Sequence, residues 1–150
     1  MRRLFAVLSV LVLAGCSAAE EPASSPEPPL PEAVLGGVEL AGPLRAIGTE
    51  PFWSVDLTGT ELIYTTPEAP EQRAPRPEPV VQGTTATWEA ETADGTRLKV
   101  TLIATECSDG MSDRTYPLTA MVTVGDRALT GCAASTAAII STGESGPVVG

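Results

Sequence analysis

From residue 53 to residue 66 the chain alternates apolar and polar side chains: Trp53-Ser-Val-Asp-Leu, a Thr58-Gly59-Thr60 connection, then Glu61-Leu-Ile-Tyr-Thr-Thr66. A period of two puts every second side chain on one face of a strand, and Gly in the connection makes the pair a hairpin. Further strands are predicted at Val80 to Thr85, Thr87 to Thr92 and Arg97 to Glu106. The last two are joined through Ala93-Asp94-Gly95, where Asp-Gly suits a type I′ turn. Another hairpin runs from Leu118 through Gly125-Asp126-Arg127 to Cys132. Pro67, Pro70, Pro75, Pro77 and Pro79 exclude a central strand and predict a long surface loop. Val34-Leu35-Gly36-Gly37-Val38 reads as an edge strand or as no element at all. No apolar stripe of helical period appears between Leu44 and Ala133. The predicted fold class is all-β, a small antiparallel barrel or sandwich of six to eight strands over residues 45–133. Residues 134–150, rich in Ala, Ser, Thr and Gly, are predicted to be a flexible tail, with Ala137 to Ile140 as a candidate edge strand.

Ahead of this domain the pattern changes twice. Arg2 and Arg3 precede an apolar stretch from Leu4 to Gly15. That is well short of the ~20 residues of a transmembrane helix and suits the core of a secretory signal. The stretch ends in Leu13-Ala14-Gly15-Cys16, which resembles the lipobox of bacterial lipoproteins. The resemblance implies a signal peptide over residues 1–15, cleavage before Cys16, and a diacylglyceryl (palmitate-type) modification of its thiol. Ser17, where Asp would imply inner-membrane retention, implies the outer membrane and a domain facing the periplasm. Residues 16–44 are dominated by Pro, Glu, Ser and Ala without periodicity. Such a stretch does not bury enough apolar surface to offset its ordering entropy, and it is predicted to be a tether. Pro22, Pro26, Pro28, Pro29 and Pro31 extend it at ~3.1 Å per residue.

Charge and composition remove several functions. Net charge is −10 over 150 residues, and without Arg2 and Arg3 seven basic side chains face 19 acidic ones. There is no basic footprint for nucleic acid and no polybasic patch for anionic headgroups, so membrane attachment falls to the lipid anchor. The chain has no His, which excludes Ser-His and Cys-His catalysis and imidazole metal sites. Three Cys are present, and once Cys16 carries lipid, Cys107 and Cys132 remain as a pair. The oxidising exported compartment predicts a disulfide between them.

Two segments carry the candidate chemistry. One is Gly48-Thr49-Glu50-Pro51-Phe52-Trp53; the other is Cys107-Ser-Asp-Gly-Met-Ser-Asp-Arg-Thr-Tyr-Pro117, closed by Gly131-Cys132-Ala133. At these residues the chain resembles a family of small envelope lipoproteins of Gram-negative bacteria that carries no established activity. The resemblance spans Ile47 to Ala133 and implies envelope localisation and a β-domain. A more distant likeness in architecture is to the lipoprotein inhibitors of c-type lysozyme. Their Ser/Gly and Tyr/Lys inhibitory motifs have no counterpart here, where Lys99 is the one lysine.

Each candidate residue has a structural and a functional reading. Phe52 and Trp53 read as core anchors, because such rings dominate burial in a small domain. Trp53 is also the candidate ligand contact. Glu50, held out of the helical region by Pro51, is a candidate turn cap or partner of Arg114. Asp109-Gly110 and Ser112-Asp113 read as turn chemistry, their side chains bonding nearby backbone N–H groups. The loop from 108 to 116 is the candidate recognition surface, with Asp109, Met111, Ser112, Asp113 and Arg114 as contacts and Met111 at its tip. Glu106, Asp109 and Asp113 do not have the spacing of a calcium loop. No metal, cofactor or catalytic set is expected, and Ser112 has no His partner. The expected function is that of a non-catalytic module binding an envelope protein or polymer. The alternatives are a structural or stress-related envelope protein and a lysozyme-inhibitor-like protein.

Overall fold

The hairpins written into the alternating segments join edge to edge into one sheet. The computed structural model describes residues 33–141 and 145–148. They lie in the second of the two units into which the chain divides, Met1–Leu30 and Pro31–Gly150. The signal segment and Cys16 lie outside the described residues. No described helix is long and apolar enough to cross a membrane.

The strands are β1 (Val34–Leu35), β2 (Val38–Glu39), β3 (Leu44–Thr49), β4 (Phe52–Leu57), β5 (Glu61–Thr66), β6 (Ala69–Pro75) and β7 (Val80–Gln82). They continue with β8 (Thr85–Glu91), β9 (Arg97–Ile103), β10 (Cys107–Ser108), β11 (Asp113–Tyr116), β12 (Leu118–Val124) and β13 (Arg127–Ser135), before helix α1 (Thr136–Ser141) and β14 (Ser145–Pro147). Nine of them form a sheet in the order β6-β5-β4-β3-β13-β12-β9-β8-β7. Every pairing in it is antiparallel, and the sheet curls until β6 and β8, from its opposite ends, touch.

Alternation decides which residues fill the curl. In β3, Leu44 and Ala46 point inward; in β4, Val55 and Leu57; in β9, Leu98, Val100 and Leu102. Each fully buried Leu or Val contributes about 1.5–3 kcal/mol relative to exposure. Trp88 on β8 is the largest wholly buried side chain. Arg76 closes one end of the core. Its guanidinium lies 5.7 Å from the Trp88 ring centroid and donates to the carbonyls of Leu40, Gly42, Leu57 and Thr58. Burial pushes its pKa down, against the pull of Glu78.

Several expectations are corrected. The proline-rich stretch is not all loop: Ala69–Pro75 is a strand, placed at the sheet edge and paired only with β5. An edge strand leaves one row of N–H groups unpaired, so prolines are tolerated there. The strand expected over 80–85 ends at Gln82, because Gly83 takes φ 56° and turns the chain into β8. At Asp94-Gly95 only Gly95 has positive φ (82°), whereas a type I′ turn needs both. Instead a three-residue loop is closed by Thr92 N–H donating to the Thr96 carbonyl at 2.9 Å.

The domain also begins earlier than residue 45. Leu35, Val38 and Leu40 are buried in the main core, and Gly36 and Gly37, both at positive φ, turn β1 into β2. Nor does it end at Ala133. The segment expected to be a loose tail, and Ala137 to Ile140 as an edge strand, instead supplies α1 and then β14, which pairs in parallel with β11. They cover a second, smaller apolar cluster of Tyr116, Cys132, Ala134, Ala138 and Val148 on the outer side of β13.

Candidate binding site

The two motif segments meet at one end of the sheet. Gly48 and Trp53 are direct partners in the β3–β4 ladder, and Trp53, 4% exposed, lies across Gly48. A Cβ on Gly48 would sit 2.0 Å from the indole Nε1, and one on Gly131 would sit 2.9 Å from Trp53 Cζ2. Both motif glycines are therefore seats for one indole. Phe52, the neighbouring position in β4, faces the other way and is 57% exposed. It is not the core anchor expected of it, because alternation allows only one of two adjacent residues to point inward.

Beyond Gly48, Thr49 reaches across. Its hydroxyl donates to the Asp109 carbonyl at 3.0 Å, joining positions 60 residues apart. The chain then passes through the cis Glu50–Pro51 bond into β4. On the far side, the Cys107–Cys132 disulfide fixes β10 to β13, with the Cα atoms 5.5 Å apart. Closing a loop of 25 residues is worth roughly 3.5 kcal/mol in the chain-entropy account.

Asp109 organises the loop between β10 and β11. Its carboxylate accepts from the N–H of Met111 (3.0 Å) and Ser112 (2.8 Å), the Ser112 hydroxyl (2.8 Å) and the Tyr116 hydroxyl (3.1 Å). Burial alone would raise its pKa, but these four donors to the charged form outweigh it and hold the group at about 2. Burial raises the Tyr116 pKa; Arg114 opposes this and the Asp109 bond adds to it. Asp109 and Ser112 are thus spent on the loop itself, in the turn chemistry the sequence predicts.

The other candidates separate. Met111 stands at the tip, 65% exposed, and Asp113 is exposed at the start of β11. Arg114 does not pair with Glu50. Its guanidinium lies 5.3 Å from the Tyr116 ring centroid and donates to the Ile139 carbonyl of α1 at 3.0 Å, so it fastens the C-terminal segment to the loop. That role had no local signal, because α1 itself had none. Among the described residues no three acidic or Cys side chains converge as a metal-binding group.

What remains open is a surface with two adjoining clefts, sharing Ile47, Gly48 and Thr49. One, of about 260 Å³, runs between Glu50, Ser108, Thr119 and Thr130. The other, of about 370 Å³, lies against Phe52, Ser54, Thr65 and Pro67. Sequence reasoning missed Ser54, Thr65, Thr119 and Thr130, although each is an outward residue of an alternating strand. The arrangement offers hydroxyls, one carboxylate and one aromatic ring on a rigid base. No known protein family, characterised protein or solved structure matches this chain.

Proposed function

We propose that the chain is a lipid-anchored β-domain lipoprotein of the bacterial envelope, seated in the outer membrane and facing the periplasm. In this reading it works by binding an envelope protein or polymer, without catalysis. One observation carries the binding role: segments 60 residues apart meet through Thr49 and Asp109 and leave Phe52, Glu50, Met111 and Asp113 in solvent around them. Loops held by a rigid scaffold are where binding residues concentrate, and here the scaffold is a sheet plus a disulfide. The acidic chain repels nucleic acid. The resemblance at Leu13 to Cys16 supports the anchor.

Two measurements test this. The mature protein should exceed the polypeptide mass from Cys16 onward by its acyl groups, and Cys16→Ser should accumulate as precursor or wash off membranes; a cleaved variant that stays bound defeats the anchor. For the binding role, the tagged full chain is cross-linked in intact envelopes. A Met111→Ala/Asp113→Ala variant should keep its unfolding midpoint and lose the cross-linked species. An unchanged cross-linking pattern, or none in the parent chain, points instead to a structural envelope protein.

A further inference from the structure

The curl closes without a hydrogen-bonded ladder. β6 and β7 are the two ends of the nine-stranded sheet, and β6 meets β8 across the seam although the two are not paired. β7 covers β8 only from Thr85 to Thr87, so the stretch from Trp88 to Glu91 has no ladder partner on that side. β6 itself is held by β5 alone. Its Pro70 and Pro75 bring no N–H to that ladder, and the register shifts between Tyr64 and Thr66. The ion pairs of Arg73 with Glu61 and Glu71 lie in solvent and add little.

The strands that meet at this seam also carry unsatisfied polar atoms. Tyr64 and Gln72 are ladder partners between β5 and β6, and Trp88 faces the core from β8. The Tyr64 hydroxyl, Gln72 Oε1 and the Trp88 indole N–H are buried, and none has a hydrogen-bond partner among the described residues. Buried polar groups are nearly always paired, and one left alone raises the free energy of the state that buries it. Against this stands Arg76, the residue after β6. It lies over the Trp88 ring and donates to the carbonyls of Leu40, Gly42, Leu57 and Thr58, so one side chain fastens the end of β6 across the seam. We infer that β6 is a strap, clasped by Arg76, which swings off β8 and opens the core to water while the other eight strands of the sheet stay paired. Opening hydrates the polar atoms of Tyr64, Gln72 and Trp88, which offsets part of the lost contact, and makes the seam the way into the interior.

Native-state amide exchange of the full chain, in detergent and at rising sub-denaturing urea, tests this. Amides linking β5 to β6 should exchange about tenfold or more faster than those linking β9 to β12. Low urea should hardly change the first rate and should steadily raise the second, because only global unfolding exposes much surface. Arg76→Met should speed the β5–β6 amides by about tenfold or more, with their insensitivity to urea retained. Tyr64→Phe should slow them by about fivefold, because the closed state sheds an unpaired hydroxyl and the open state loses a hydrated one. That readout separates the strap from plain fraying of an edge strand, which leaves Tyr64 buried. β5–β6 exchange that follows urea as steeply as β9–β12, an unchanged rate in Arg76→Met, or a rate unchanged or raised in Tyr64→Phe overturns the inference.

Discussion

Gly48 and Trp53 occupy one volume between them: the indole fills the space a Gly48 side chain would need, with Nε1 2.0 Å from the position of its Cβ. Trp53 is pressed from its other side against Gly131, whose own Cβ would lie 2.0 Å from the Ile47 carbonyl oxygen. Overpacking of a filled core costs about 1–3 kcal/mol. Gly48→Ala should lie in that range and shift Trp53 emission. Gly131→Ala should cost more, because its obstacle is backbone and not a ring that can tilt. Urea midpoints of the two variants check the order; a neutral Gly131→Ala contradicts it.

Arg76 is the second prediction. Four carbonyls from two separate segments converge on its guanidinium, which is also stacked on Trp88. Arg76→Met removes every one of those donors and should cost about 2–3 kcal/mol. Arg76→Lys keeps the charge but not the planar fork, so it should recover only part of the loss. Thermal unfolding of the two variants measures the difference, and equal stability of Lys and Arg would show that charge alone matters.

These examples mark how far the sequence is readable. The hairpins β4–β5, β8–β9 and β12–β13 are legible because each has a period-two pattern and a Gly-bearing turn. β14 is not: its three residues gain order from parallel pairing of Gly146 with Arg114, a contact without local trace. β6 is hidden by its prolines, which exclude a central strand but leave an edge one open. At the site, the motif residues are visible as a cluster of turn formers, and the Asp109 turn follows from them. The meeting of Thr49 with Asp109 is not visible, because it depends on β3 and β13 being neighbours, and chain order says nothing of that pairing.

The Asp109 carboxylate makes stability depend on pH in a defined direction. Its pKa falls from 3.8 to about 2 on folding, so the charged form is favoured in the native state. The stabilisation is complete above about pH 4 and drains away as pH falls toward 2. The group is largely solvent-screened, so the loss should be on the order of 1 kcal/mol. Asp109→Asn should lower the urea midpoint at pH 6 and flatten the profile between pH 5 and pH 2. A profile as steep as that of the parent chain would assign the acid sensitivity to other carboxylates.

The disulfide and the C-terminal segment should act on the same loop from opposite sides. Cys132 is fixed to Cys107 on one hand and packs in the Tyr116–Ala138–Val148 cluster on the other. Replacing both Cys by Ala releases a closure worth roughly 3.5 kcal/mol in the unfolded chain. Truncation after Ser135 instead exposes Tyr116 and removes the Ile139 carbonyl that Arg114 reaches. The truncation should leave the curled sheet folded, since its core cluster contains no residue beyond Ala133. It should nonetheless open residues 108–115 to proteolysis and fast amide exchange. Combining the two changes should cost more than their sum, because each alone leaves the other hold in place beside the Thr49–Asp109 bond. Hydrogen exchange at Met111 and Ser112 reads this directly, and strict additivity would mean that the disulfide and the C-terminal segment steady the loop independently.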